Sequence, residues 1–301
     1  MMRITQTTMT ANAMYNLQNG LNRMQDLNNK LSTGLDVTKP SDSPERFLTG
    51  QQSRSTLART ETYIRNADNA QAWLRVADSA MQDAVTRLHR VEQLAIRGAN
   101  STHDETGRRA LAVEIRSMRQ GFLEITETEY AGRKIFAGTA DITDGVYADQ
   151  AIGTNPKYAF NGNSEPVFRT IGPDTSVNIA PNTARAFGSG DKSLFATLDQ
   201  LADDIEAGRI DDVRSALTKI GEHREGMLDA IAESGTILNR VEGLRARAVD
   251  QTAALKNHKS EAESTDLAET TVQVMTQKVA YEAALAATSK VIQPSLMDFL
   301  R

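Results

Sequence analysis

The segment KPSDSPERF, residues Lys39 to Phe47, separates two stretches of the chain that both have helical periodicity. Pro40 and Pro44 lie in this segment, and no further proline follows until Pro156. Proline lacks a backbone N–H and clashes with the preceding helical turn, so one helix cannot run through both residues. Ser43 is a favourable N-cap, and proline fits the first position of a helix. We therefore predict that a long helix begins at Pro44.

An apolar stripe upstream of this segment predicts a first helix, from about Thr5 to Ser32. Its members alternate between spacings of three and four residues, which is typical of a coiled-coil seam. They are Met14, Leu17, Leu21, Met24 and Leu31, with the polar Asn28 at the stripe position between the last two. Gly34 follows the stripe, and glycine commonly ends a helix. We predict that Gly34, Pro40 and Pro44 form a joint between the two helices.

The same alternation predicts rod-like helices on both sides of the middle of the chain. On the N-terminal side, the helix that begins at Pro44 should end at Gly98, and a third helix should follow the capping-box pattern THDE, Thr102 to Glu105. On the C-terminal side, a short helix over about Ser193 to Ala207 should precede a long one. The predicted rod core consists of Leu74, Met81, Leu88, Val91, Leu111, Ile115, Met118, Phe122, Ile231, Leu238 and Val241.

The last helix is expected over about Asp266 to Gln293, before Pro294. A second capping-box pattern, SEAE at Ser260 to Glu263, predicts that the preceding helix is interrupted and restarts there. The apolar residues of the last helix and tail are Val274, Tyr281, Leu285, Ile292, Leu296 and Phe299. Because Asn28 and Thr288 interrupt the two terminal stripes, these helices bury little alone. We predict that both terminal helices pack fully only in an assembly, through these stripe residues.

Residues 132–190 differ from the helical arms. Gly, Asn and Pro separate short runs that are rich in Ile, Val, Phe and Tyr, a pattern typical of strands and turns. We therefore predict a mainly α-helical fold. Both chain ends should form a long antiparallel coiled-coil hairpin or bundle, with a small β-rich domain inserted at its tip. The expected divisions are 1–43 (inner helix and joint), 44–131 (rod), 132–190 (β-rich), 191–259 (rod) and 260–301 (inner helix).

The composition argues against catalysis and against several kinds of partner. The 301 residues include no cysteine, which excludes disulfides, zinc–thiolate sites and thiol chemistry. The histidines, His89, His103, His223 and His258, are isolated, so we predict no metal site, no cofactor and no enzymatic activity. The net charge of −5 is spread along the chain, which argues against nucleic acid. No run has transmembrane length, and no apolar core of a secretory signal peptide is evident, so membrane insertion is not expected.

Three segments resemble the flagellin family. LQNGLNRMQDLNNKLSTGLDVTKPSDSP, residues 17–44, is similar to the family's N-terminal helix and joint. IRNADNAQAWLRVADSAMQDAVTRLHRVEQLAIRGANST, residues 64–102, is similar to its rod helix, and LAETTVQVMTQKVAYEAALAATSKVIQPSLMDFL, residues 267–300, is similar to its last helix and tail. The segment GRKIFAGT, residues 132–139, favours a subunit of the hook–filament junction over the filament subunit.

This resemblance implies a structural component of the bacterial flagellum that lies outside the cell and is exported unfolded without a cleaved signal peptide. It implies that the terminal helices make the contacts in a ring of identical copies. The implied partners are the hook-proximal junction protein, flagellin and an export chaperone at the C-terminal helix. The alternative is a short flagellin, the filament subunit itself. A cytoplasmic helical adaptor would explain the periodicity, but not the β-rich insertion or the paired end motifs.

Overall fold

The computed structural model describes residues 6–100, 104–149 and 157–292. These residues form seven α-helices and six short strands. The helices are α1 (Gln6–Thr33), α2 (Pro44–Ala99), α3 (Glu105–Thr126), α4 (Thr183–Phe187), α5 (Leu194–Ala207), α6 (Ile210–Glu263) and α7 (Leu267–Ile292). The strands are β1 (Glu129–Tyr130), β2 (Arg133–Lys134), β3 (Tyr147–Asp149), β4 (Tyr158–Phe160), β5 (Phe168–Gly172) and β6 (Thr175–Asn178). The prediction of a mainly α-helical chain with a small β-rich region is confirmed.

The chain divides into two compact units. The first comprises residues 1–59 and 252–301, and the second comprises residues 60–251. The first unit contains α1, α7 and the adjoining ends of α2 and α6. The second contains the rest of α2 and α6, together with α3, α4, α5 and all six strands. Each unit therefore combines segments from both halves of the sequence.

Two predicted helix starts need correction. The helix after Gly98 is capped by Asp104, whose side chain accepts a hydrogen bond from Gly107 N at 2.8 Å, so the predicted cap, Thr102, is wrong. The interruption predicted at Ser260 is also wrong, because α6 continues through to Glu263. Asp266 precedes α7 instead, and its carboxylate accepts from the next backbone N–H groups. An aspartate therefore precedes both helices and satisfies N–H groups that would otherwise lack partners.

The core of the second unit runs along the helix stripes. Leu74, Met81, Leu88, Val91, Ile115, Phe122 and Val241 are buried, while Leu111, Met118, Ile231 and Leu238 are half-buried and pack against the same core. Ion pairs between α2 and α6 join Asp68 to Arg245, Arg75 to Glu242, and Glu92 to Arg224. Residue numbers rise along α2 while those of their partners fall along α6. The two helices are therefore antiparallel within this unit.

The β-rich region consists of three antiparallel hairpins, β1–β2, β3–β4 and β5–β6. The first hairpin begins at Glu129, three residues before the predicted boundary at 132. Its turn residues, Ala131 and Gly132, both have positive φ, as the tightest hairpin turns require. Part of the segment GRKIFAGT therefore forms β2, and Ile135–Ala137 follows as a buried 3-10 turn.

A charged cluster and an aromatic cluster fix this region to the helices beneath it. The carboxylate of Asp199 on α5 accepts hydrogen bonds from Arg119 of α3 at 2.8 Å and from the hydroxyl of Tyr158 on β4 at 2.7 Å. Lys157 also pairs with this carboxylate. Burial opposes the charge of Asp199, but its hydrogen bonds to Lys157 and Tyr158 and the charge of Arg119 outweigh this effect and lower its pKa. The ring of Phe195 on α5 lies 5.6 Å from that of Tyr158, so an aromatic contact also packs β4 against α5.

Candidate assembly surface and joint

The terminal helices α1 and α7 pack against each other within the single chain. Gly20 lies at their contact, because a Cβ built there would lie 3.4 Å from the ring of Tyr281. Gln277 Nε2 donates a hydrogen bond to Gly20 O at 3.2 Å. Each terminal helix therefore supplies the other with a partner within one chain, and full packing in an assembly stays a prediction.

This pairing covers only part of the predicted contact residues. Leu17, Met24, Leu31, Val274 and Tyr281 are half-buried, whereas Met14, Leu21 and Leu285 remain exposed. Leu296 and Phe299 lie outside the described residues, and the side chain of Ile292 is likewise not described. Pairing of α1 with α7 therefore leaves apolar surface that the described residues do not cover.

Part of this exposed apolar surface lies on a stripe of α7 that our sequence reasoning missed. Val272, Met275 and Val279 on α7 are exposed and follow a three-four spacing, so they share one face of the helix. We call these three residues the outer stripe. Val274 and Tyr281 form a second, half-buried seam on the same helix. Helix α7 is thus apolar on two faces, a pattern typical of a helix that is covered on both sides. The spacing of the outer stripe was visible in the sequence and could have identified it.

The joint between α1 and α2 has the geometry that its residue types favour. Gly34 has a φ of +70°, which glycine adopts without strain, and its N–H donates to Lys30 O at 2.8 Å. Pro40 lies in the exposed connection, and Pro44 is the first residue of α2, as predicted. Between the prolines, the Asp42 carboxylate accepts from the backbone N–H groups of Thr38 and Lys39, which lowers the pKa of Asp42.

The joint also pairs with the connection between α6 and α7. Leu35 and Ser264 form an antiparallel β-bridge. The N–H groups of Asp36 and Val37 donate to Glu263 O at 2.7 and 3.3 Å. Thr265 N donates in return to Gly34 O at 3.0 Å. The α1–α2 connection and the α6–α7 connection are therefore joined to each other by backbone hydrogen bonds.

Charged side chains close around this paired connection. The Asp36 carboxylate binds Lys30 Nζ at 2.7 Å and also pairs with Arg46. The hydrogen bond from Lys30, followed by the one from Arg46, lowers the pKa of Asp36 despite its partial burial. Arg46 Nε also donates to Ala262 O at 3.1 Å. One arginine at the start of α2 thus contacts both the connection after α1 and the last turn of α6.

The acidic residues and histidines of the described part of the chain form no metal-binding group. Within residues 6–100, 104–149 and 157–292, no group of three or more His, Cys, Asp or Glu residues is arranged to hold a metal ion. His89 lies beside Glu92 and His258 beside Glu261, both on exposed helix faces. His223 is half-buried, and this burial lowers its pKa. In the same described part of the chain, no helix combines the length and apolar character needed to span a bilayer.

Comparison with known proteins finds similarity to proteins of the bacterial flagellum. Residues 4–141 match the bacterial flagellin N-terminal helical region. The flagellar hook-associated protein 3 of Salmonella typhimurium is 23% identical, over 96% of this chain and 95% of that protein. A flagellin of Bacillus subtilis is 22% identical, over 80% of each chain. The crystal structure of FlgL from Xanthomonas campestris shares the fold with a TM-score of 0.61 at 17% identity, covering 69% of this chain and 99% of that one. The N-terminal part of the chain is therefore similar to bacterial flagellin, and almost its whole length is similar to a flagellar hook-associated protein.

Proposed function

We propose that this chain is a structural subunit of the bacterial flagellum that joins the hook side to the flagellin filament. The outer stripe of α7 carries this proposal, because exposed apolar residues in one contiguous patch mark a surface for another protein. Similarity along the whole length to hook-associated protein 3 supports the junction. The likeness to flagellin also spans most of the chain, so the filament subunit stays the second candidate.

The proposed partners follow from this position. Copies of the same chain would form a ring through α1 and α7, with the hook-proximal junction protein on one side and flagellin on the other. An export chaperone would cover α7 before assembly, because the outer stripe is exposed in the free chain. The proposed location is outside the cell, at the end of the hook. The role is mechanical, and we propose no catalytic activity.

Deletion of the gene tests this function, with the wild-type copy restored on a plasmid as the control. We expect cells with hooks but without filaments, and flagellin released into the medium, because exported flagellin would lack the junction on which it assembles. Electron microscopy of the cells and a gel of the culture medium give the readout. Loss of the main secreted flagellin band would instead identify the filament subunit. Normal attached filaments would contradict both readings.

A further inference from the structure

The side chain of Glu263, at the last position of α6, is buried although it is charged. Only 3% of the residue is exposed. Arg54 Nη2 on α2 binds its Oε2 at 2.7 Å. A carboxylate that is removed from water must be paired, so the position of Glu263 depends on that of Arg54. The ion pair therefore fixes the end of α6 to the first turns of α2.

Gly50 provides the space that this carboxylate occupies. A Cβ at position 50 would lie 2.4 Å from Glu263 Oε1 and 2.8 Å from its Cγ, closer than real atoms approach. Glycine lowers the stability of a helix interior, and Gly50 lies within α2. A glycine at this place is explained by close approach, since any side chain would displace the Glu263 carboxylate. We call Gly50, Arg54 and Glu263 the Glu263 cluster.

The backbone of the same residue holds the two connections. Glu263 O accepts from Asp36 N and Val37 N, the residues that follow the end of α1. The next residue, Ser264, forms the bridge to Leu35, and α7 begins three residues later. Glu263 thus contacts α2 through its side chain and the segment after α1 through its carbonyl. It also lies just before the start of α7.

We propose that Glu263 is a positioning residue, which fixes the direction in which the α1–α7 pair leaves the adjoining ends of α2 and α6. Displacement of its carboxylate would loosen both connections together, because they are hydrogen-bonded to each other at this residue and would be left to the contacts of Arg46 with Asp36 and Ala262 O. The α1–α7 contact at Gly20 lies elsewhere on the helices and would persist. The pair would then stay together but lose its orientation, and copies of the chain would no longer present their outer stripes in the same direction. This last step rests on the proposed function.

Spin labels can measure the orientation directly, because the chain has no cysteine of its own. Exposed positions in the first unit suit the labels: Asn22 on α1, Ser55 on α2 and Lys278 on α7. Cysteines are introduced there in pairs, and distance distributions are recorded by double electron–electron resonance. The test variants are Gly50→Ala and Glu263→Gln. Gly243→Ala is the matched control, because Gly243 lies in α6 with nothing within 4 Å of an added Cβ.

In both test variants, we expect the distributions from Ser55 to Asn22 and from Ser55 to Lys278 to broaden, while that from Asn22 to Lys278 stays narrow. The control should match the parent chain in all three. Unchanged distributions in both test variants would overturn the proposal. So would a broadened Asn22–Lys278 distribution, since it would mean local unfolding rather than lost orientation.

A cellular assay then tests the consequence. Gly50→Ala and Glu263→Gln should reduce the number of attached filaments and increase flagellin in the medium, whereas Gly243→Ala should behave as wild type. Full retention of filaments by chains with broadened distributions would overturn the role in assembly. The gene deletion tests the junction function separately, so failure of one proposal is distinguishable from failure of the other.

Discussion

Replacement of the outer stripe by polar residues of similar size should abolish assembly while leaving the free chain folded. The variant is Val272→Thr, Met275→Gln and Val279→Thr. These side chains are 63%, 63% and 65% exposed, so almost two thirds of each is still available for burial. Threonine and glutamine have helix propensities close to those of valine and methionine, so α7 itself should be little affected.

The expected magnitude follows from the exposed surface. Full burial of such a side chain contributes about 1.5–3 kcal/mol, so the exposed two thirds are worth about 1–2 kcal/mol each. Three side chains give about 3–6 kcal/mol per subunit contact. Since about 1.4 kcal/mol is a factor of ten, the contact should weaken roughly 10²- to 10⁴-fold. The melting temperature of the free chain should change little, because these side chains are exposed there.

Complementation of a gene deletion provides the assay, with filaments counted by electron microscopy and export of the variant checked in the medium. Ile96→Thr with Val113→Thr is the matched control, because both side chains are exposed apolar residues outside the terminal helices. The control should keep its filaments. Attached filaments in the triple variant, at wild-type export levels, would refute the reasoning that the outer stripe forms a subunit contact.

Two further predictions concern the contact of α4 with α6. Gly226→Ala should destabilise the chain by about 1–2 kcal/mol in thermal melts, because the added Cβ would lie 2.3 Å from Arg185 O, and the resulting overpacking outweighs the gain in helix propensity. Gly221→Ala in the same helix has nothing within 4 Å and should stabilise by up to about 1 kcal/mol; equal effects would contradict the close approach. Burial lowers the pKa of His223 below 6.5, so the unfolded chain binds the proton first as the pH falls. The contribution of His223 to the free energy of unfolding should therefore be fully present above about pH 6.5 and be lost as the pH falls below it. In urea titrations at several pH values, His223→Gln should make this decrease in the free energy of unfolding shallower. An unchanged pH dependence would exclude His223 as its source.

Local rules predicted much of the helical framework, because they depend on neighbouring residues. Pro44 starts α2, and the spacing of Leu74, Met81 and Leu88 identified a buried face. The interruption predicted at Ser260 was wrong because local pattern could not show that Arg54, which is 209 residues away, binds the Glu263 side chain. The capping-box pattern is local, whereas the Glu263 side chain at the end of α6 takes part in a tertiary contact.

Local pattern was also insufficient to identify the candidate surface on α7. Two apolar seams run along α7, and the periodicity of the sequence does not say which of them faces α1. Sequence reasoning chose the seam with Val274 and Tyr281, which the structure leaves half-buried, and passed over the outer stripe. In the structure Tyr281 of that seam lies beside Gly20 of α1, and this contact joins residues from opposite ends of the chain.

The outer stripe also bears on the solubility of the unassembled chain. A contiguous apolar face in water promotes unspecific aggregation as well as the intended contact, and both increase with concentration. Lys278 and Glu282 on α7 are exposed close to this face, and charges at such positions oppose aggregation. If the outer stripe makes the proposed subunit contact, the same residues also limit how much of the free chain can accumulate before it aggregates.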